Sequence, residues 1–292
     1  VAEYPCCLAD SNTIYRGVVS REQGMPMKTD FLTAEAIEAF DRDGYILVND
    51  LLDREETELL GRIARRDRIL SSRRTSRADG EGGAVELVVE NQLQADCIYS
   101  AIVQGQPLVS AMESLLRDEV YHYHHKMILK EPRIGGAWTW HQDYGYWYNN
   151  GCLFPDMASC MIAVDRATRE NGCLQVLRGS HRMGRIDHLK RGDQTGADME
   201  RVTAALERME LVHVEMNPGS AVIFHGNTLH RSDQNQSEYP RWAFICCYNA
   251  RSNDPWKDGR HPRYSPLNRL EARNIAAQGH RHWNRIQQSE TV

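Results

Sequence analysis

Trp138-Thr139-Trp140-His141-Gln142-Asp143-Tyr144-Gly145-Tyr146-Trp147 is the stretch on which the reading of this chain turns. It is rich in aromatic residues and reads as a strand. On a strand, residues i and i+2 point to the same face. His141 and Asp143 therefore project together, with Gln142 turned away. Trp138, Trp140, Tyr144 and Tyr146 are expected on the opposite face, packed into a sheet. Beyond Gly145 the chain is free to leave the strand, which makes Trp147 and Tyr148 candidates for substrate contact.

An imidazole beside a carboxylate supplies two ligands of a metal site. The third is expected from His230, in Gly226-Asn227-Thr228-Leu229-His230-Arg231-Ser232, just after the apolar strand Ala221-Val222-Ile223-Phe224. Two histidines and one carboxylate on one face of an octahedral ion leave three positions open, the arrangement suited to non-haem Fe(II) oxygenases. Zinc sites with the same ligand types exist, so the triad alone does not select iron. Arg241 follows His230 by eleven residues and opens the next apolar run. Its guanidinium forms a fork that a carboxylate can accept with both oxygens, which a lysine cannot copy. Ser232, two residues after His230, adds a hydroxyl on the same face. A dicarboxylate chelating the metal at one end would be gripped by Arg241 and Ser232 at the other. A bare His-x-Asp arises readily by chance in a chain with 12 histidines. Its placement between strands, with a distal histidine and an arginine at this spacing, gives it weight.

Around this stretch the pattern is mainly β with flanking helices. Short segments rich in Val, Ile, Tyr and Trp recur at 120–130, 137–147, 157–165, 173–177, 210–216, 220–224 and 241–249, separated by Gly, Asn and Pro turns. Many short strands broken in this way suggest a β-sandwich or jelly roll. Helices are expected from Thr33 to Arg42, from Glu55 to about Arg68 and over 107–117, with a strand at Tyr45-Ile46-Leu47-Val48. Residues 71–83 read as an exposed, mobile loop, and 184–209 as a polar helical insert. Residues 1–26 read as a tail or extension, and 27–292 as one domain whose N-terminal helices buttress the β core.

Composition narrows the function classes. The 292 residues are 41% hydrophobic and 26% charged, an ordinary globular balance. The net charge of -5 excludes a generally basic nucleic-acid coat. No apolar run reaches the ~20 residues that span a bilayer. The eight cysteines form no Cys-x-x-Cys pair, and no signal peptide is visible, so reduced thiols in a cytoplasmic setting are expected.

With Glu170-Asn171-Gly172-Cys173-Leu174 and Gly179-Ser180-His181 added, the ordered set His141-Gln142-Asp143, His230-Arg231-Ser232 and Arg241 resembles the phytanoyl-CoA dioxygenase (PhyH) family. That family belongs to the non-haem Fe(II)- and 2-oxoglutarate-dependent oxygenases. The similarity runs from about Thr33 to about Tyr248. It implies a double-stranded β-helix (jelly roll, cupin-like) core, with iron held by His141, Asp143 and His230. It implies that Arg241 and Ser232 bind the distal carboxylate of 2-oxoglutarate, and that O2 is consumed as a small molecule is hydroxylated with release of succinate and CO2. Lys126 stands where an apolar residue often lies near the co-substrate, and Met161 where a tryptophan often does. The carboxylate at Asp143 sets the chain apart from halogenating relatives, which have a small residue there.

Other residues read more plainly. His181 belongs to a turn. His122 and His124 share a strand face and, with His125, suit packing or surface roles. Arg260, His261 and Arg263 read as a basic tail, while Glu90-Asn91 are within reach of the pocket. The pairs Arg65-Arg66 and Arg73-Arg74 would suit the phosphates of an acyl-CoA, which the acidic net charge does not favour. Two rival functions remain at this point. One is a non-catalytic jelly-roll protein that binds a metal or a small acid. The other is a zinc hydrolase, which would have no need of Arg241.

Overall fold

Residues 31–79, 82–191 and 193–290 are described by a computed structural model of the chain; the tail expected over 1–26 lies outside them. The Thr33 hydroxyl caps α1 (Ala34–Asp43) by accepting from the Ala36 N–H, and Gly44 ends the helix in the left-handed conformation. β1 (Tyr45–Val48) follows directly. In α2 (Arg54–Arg66), Asp53 and Glu56 form a reciprocal capping box, and Asp67 then caps the short α3 (Arg68–Ser72).

The stretch expected as a loop contains β2 (Thr75–Ala78), paired antiparallel with β3 (Ala84–Glu90). All four β2 residues are exposed, because the strand is the rim of its sheet. Polar and charged side chains discourage pairing of such an edge with another chain, and they also hide a strand from pattern reading. After α4 (Ile98–Val103) and α5 (Gln106–Leu116) come β4 (Val120–Lys130), β5 (Trp138–His141), α6 (Asp143–Trp147), β6 (Met157–Ala163) and β7 (Leu174–Leu177). The polar insert is half hairpin, β8 (His188–Arg191) with β9 (Gln194–Ala197), and half helix, α7 (Met199–Leu206). Gly196 lets β9 lie close against the backbone of Trp140 on β5, which a helix could not do. β10 (Leu211–Val214), β11 (Ala221–His225), β12 (His230–Ser232), β13 (Arg241–Ala250) and α8 (Asn274–Glu290) complete the order.

The strands form a jelly roll. A seven-stranded sheet, ordered β1-β11-β6-β13-β4-β3-β2, faces a four-stranded sheet, ordered β10-β7-β12-β5. Between them lies a core of Met161, Val222, Phe224 and Ile245 from the large sheet with Leu174, Val176 and Val214 from the small one. The alternate residues Cys160, Ile223 and Phe244 face the helices, meeting Leu59 and Ile63 of α2, Ile102 of α4, Met112 of α5 and Ile275 of α8. The centre of the large sheet is thus covered on both faces, and its strands β6, β11 and β13 read as near-continuous apolar runs rather than alternating ones. α8 was not expected from sequence; its buried Ile275, Gly279, His282 and Ile286 recur at helical spacing and pack on α2 and α4. No helix among the described residues is long and apolar enough to cross a membrane. Because the α2 cap carries two reciprocal hydrogen bonds, Asp53→Ala should lower unfolding stability by about 1 kcal/mol. Urea titration should show a lower midpoint at unchanged slope.

Candidate metal centre

His230 on β12 lies directly opposite His141 on β5, and their imidazole centroids are 4.0 Å apart. The Nδ1 of each ring donates to a carbonyl two residues earlier: Thr139 at 2.8 Å for His141 and Thr228 at 2.9 Å for His230. This fixes the tautomer, so each Nε2 presents its lone pair. Burial lowers both imidazole pKa values, that of His141 furthest, so both rings are neutral and able to ligate.

Asp143 completes the group. One ligand atom from each of His141, Asp143 and His230 lies within 4.8 Å of the others. The strand ends at His141 and Asp143 opens α6, rather than continuing an extended segment to Gly145 as expected. Gln142 keeps extended backbone (φ −107°, ψ 133°), so the i, i+2 relation survives for this one pair. Asp143 Oδ1 is 3.8 Å from His141 Nε2, and Oδ2 accepts from the Ser159 hydroxyl at 2.9 Å. Burial pushes the carboxyl pKa up. The charge of Lys126, with the Ser159 hydrogen bond among the smaller contributions, works against it, and the net value is lowered.

Gln142 turns away from the metal face and joins the two ligand-bearing segments. Its Nε2 donates to the Asn227 carbonyl at 3.0 Å, and its Oε1 accepts from the Ile186 N–H at 2.8 Å. Beside it the Tyr144 N–H donates to the Gly226 carbonyl at 2.8 Å. Neither Gln142 nor Asn227 was singled out from sequence, although a glutamine inside an aromatic run is a polar group that needs buried partners.

Across the cavity, Arg241 is the first residue of β13 and lies opposite Lys130 of β4. Its Nη2 donates to the Gly172 carbonyl at 2.6 Å, while its Nε is buried without a partner. Burial lowers its pKa to about 10, so it stays charged at neutral pH. Ser232 accepts from Lys130 Nζ at 2.9 Å, and the same ammonium donates to the Asp233 carbonyl. Lys130 is fully buried, and burial followed by the charge of Arg241 depresses its pKa. Lys126 lies nearer the triad, its Nζ 3.9 Å from Asp143 Oδ1. Gly172 holds a positive φ of +75°, and a side chain there would run into the Asp233 carbonyl, so the turn that receives Arg241 needs glycine.

The triad, Ser232, Arg241, Lys126, Lys130 and Met161 all line one cavity of about 210 Å³. Trp138 and Tyr146 line it too, contrary to the alternation expected for them. His230 pairs with His141 but Ser232 pairs with Trp138, so the register shifts by one residue between the two pairs. This bulge turns Trp138 to the metal face, its ring 5.9 Å from that of His141. Tyr146 reaches the same side from α6, 5.6 Å from His141. Trp147 is buried on the cavity wall, edge-on to Tyr123. Tyr148 is 43% exposed and lies under the Arg185 guanidinium, away from the lining.

A second irregularity, between β4 and β13, separates His122 from His124. His122 meets His125 at 3.0 Å, whereas His124 joins the cavity wall. His261 does not trail in a basic tail; it stacks on Tyr123 and lines the cavity, while Arg263 pairs with Asp254 and Asp258. Glu90 faces away from the cavity and pairs with Arg73. Arg65, Arg66 and Arg74 pair with Asp165, Glu290 and Glu86, and none of the three lines the cavity.

Residues 40–243 match the sequence model of the family described as phytanoyl-CoA dioxygenase (PhyH). The chain belongs to the phytanoyl-CoA dioxygenase family. This member is 29% identical over 240 residues to L-proline trans-4-hydroxylase of Streptomyces griseoviridis, covering 76% of this chain and 88% of that one. It is 28% identical over 251 residues to ectoine dioxygenase of Bordetella bronchiseptica, covering 80% and 81%. EctD from S. alaskensis, crystallised with 2-oxoglutarate and 5-hydroxyectoine, superposes with a TM-score of 0.69 at 24% identity. That likeness covers 82% of this chain and 88% of EctD, and it supports the fold.

In this family member Ser159 holds one oxygen of Asp143 and thereby orients the other. Ser159→Ala should weaken divalent-metal binding by about 10-fold or more with the fold intact. Titration with Co(II), followed by its visible absorption, measures the change.

Proposed function

We propose that the chain is a non-haem Fe(II)- and 2-oxoglutarate-dependent dioxygenase. It hydroxylates an unactivated C–H bond of a small molecule, with 2-oxoglutarate going to succinate and CO2. One observation carries this reading: a convergent His-Asp-His group and a buried, incompletely bonded guanidinium share one cavity. Two neutral imidazoles and an ionised carboxylate suit a divalent iron. The orphaned Arg241 Nε suits an anion, because a buried donor is rarely left unbonded. Iron held by His141, Asp143 and His230 would supply the dioxygen chemistry and C–H cleavage.

The chain's own residues bind, orient and shield. Arg241 would bind the distal carboxylate of 2-oxoglutarate through the donors that Gly172 leaves free. Ser232 accepts from Lys130, so its own O–H is free to donate to the same carboxylate. Lys126 keeps Asp143 ionised and adds positive charge at the end where the keto acid would chelate. Trp138, Tyr146 and Trp147 line the cavity and would exclude water and bound the space for substrate. Trp147, rather than the outlying Tyr148, is our substrate contact. The relatives named for proline and ectoine support a small substrate. The six cysteines among the described residues are free and buried, which fits a reducing setting, and we place the enzyme in the cytoplasm.

Anaerobic addition of Fe(II) and 2-oxoglutarate should produce a weak visible charge-transfer band that His141→Ala lacks. Arg241→Ala should raise the 2-oxoglutarate concentration for half-maximal band by roughly 30-fold or more, because it removes a buried charge partner. Fe(II) affinity should change far less. An unchanged 2-oxoglutarate requirement would remove Arg241 from the co-substrate site.

A further inference from the structure

The hairpin of β8 and β9 reaches the peptide that joins two of the metal-type ligands. β5 ends at His141, and the next amide, the Gln142 N–H, donates to His188 Nε2 at 3.0 Å. A ring nitrogen that accepts carries no proton, so the neutral imidazole of His188 is protonated on Nδ1. That nitrogen donates to the Ile186 carbonyl at 2.8 Å, which fixes the tautomer. His188 is the first residue of β8 and pairs with Ala197 of β9, so the ring is carried by the hairpin and not by a ligand-bearing segment.

The same segment holds the Gln142 side chain. The Ile186 N–H donates to Gln142 Oε1 at 2.8 Å, and Gln142 Nε2 donates to the Gly184 carbonyl at 3.3 Å as well as to Asn227. Residues 184–188 therefore grip both the main chain and the side chain of the one residue between His141 and Asp143. The plane of the peptide carrying the Gln142 N–H turns with ψ of His141 and φ of Gln142. Its rotation would carry Asp143 off the face it shares with His141.

Gly145 is an independent sign of the same arrangement. It is not among the residues with positive φ, so the backbone there does not require glycine. The His188 ring does, because a Cβ at position 145 would run into its Cε1, Nδ1 and Nε2 atoms. A glycine inside a helix is less favourable than an alanine, and here it leaves room for the imidazole. The Tyr146 ring closes the contact edge-on, its centroid 5.1 Å from that of His188.

We propose that His188 is a positioning residue of the metal centre. By holding the Gln142 amide it keeps His141 and Asp143 presenting their ligand atoms together. The inference rests on the metal-binding part of the reading above and on neither 2-oxoglutarate nor the reaction.

Co(II) titration of the full chain, followed by visible absorption, tests this together with amide exchange of the metal-free chain. His188→Leu should weaken Co(II) binding by about tenfold or more, the usual effect of removing a group that orients a ligand. His188→Gln can place its amide oxygen where Nε2 stood and should stay within about threefold of the parent. Gly145→Ala keeps the imidazole but evicts it, and should behave as His188→Leu does. In an Asp143→Ala background the further change His188→Leu should matter by less than about twofold, because the ligand it positions is gone. Without metal, the Gln142 amide should exchange slowly in the parent and in His188→Gln, and about tenfold faster or more in His188→Leu and Gly145→Ala. Circular dichroism confirms that each variant is folded. Equal Co(II) affinity in the parent and His188→Leu would overturn the inference alone. So would an equal loss in the Asp143→Ala background, which would mark a general loosening, or failure of His188→Gln to rescue. A parent chain that binds no Co(II) would overturn the metal-centre reading and this inference with it.

Discussion

The pairing of His230 with His141 across the small sheet is the constraint on which the metal centre depends. The two histidines come from distant stretches of the chain, and only strand register brings their rings together. A slip by one residue would turn one imidazole to the opposite face. The register is held from outside the strands. Gln142 bonds the Asn227 and Ile186 backbone, and the Tyr144 N–H bonds the Gly226 carbonyl. These bonds attach the turn before β12 to the start of α6, so Asp143 and His230 are positioned by one small network. The large sheet then contributes Ser159 from β6, Lys126 from β4 and Arg241 from β13 to the facing wall.

That wall concentrates buried basic side chains. Arg241 and Lys130 are cross-strand neighbours, both nearly inaccessible to water, and Lys126 lies a short distance along the same strand. Burying basic groups side by side works against folding unless hydrogen bonds or an anion compensate, and here burial and the neighbouring Arg241 push Lys130 toward its neutral form. Gly172, Ser232 and Asp233 offer part of that compensation, and the unbonded Nε of Arg241 shows that it is incomplete. Such a departure from ordinary core chemistry is what the proposed co-substrate site would require. The aromatic residues near the triad add the complementary property, an apolar boundary with few groups able to hold water.

The ligand-type residues were legible because their spacing survives local irregularity. Gln142 is extended, so His141 and Asp143 converge although the strand has ended. His230 and Ser232 share a face on a regular short strand, and Arg241 opens the next one. The jelly roll was legible from the succession of short apolar runs and their turns. Features set by an inserted residue were not. The bulge on β5 sends Trp138 to the cavity, and the irregularity on β4 parts His122 from His124. Alternation cannot reveal either, since both arise from pairing with a distant strand. β2 was hidden by the polarity that suits an edge, and α8 by its mixed composition. Gln142 and Asn227 act through backbone partners far away in sequence, which no local pattern displays.

Electron spin-echo modulation of the Mn(II)-loaded chain tests the central claim most directly, because it detects nitrogen bound to the metal. The account predicts two coordinated imidazole nitrogens in the parent chain and one in His141→Ala or His230→Ala. Modulation without bound nitrogen, or a spectrum that neither substitution alters, would contradict it.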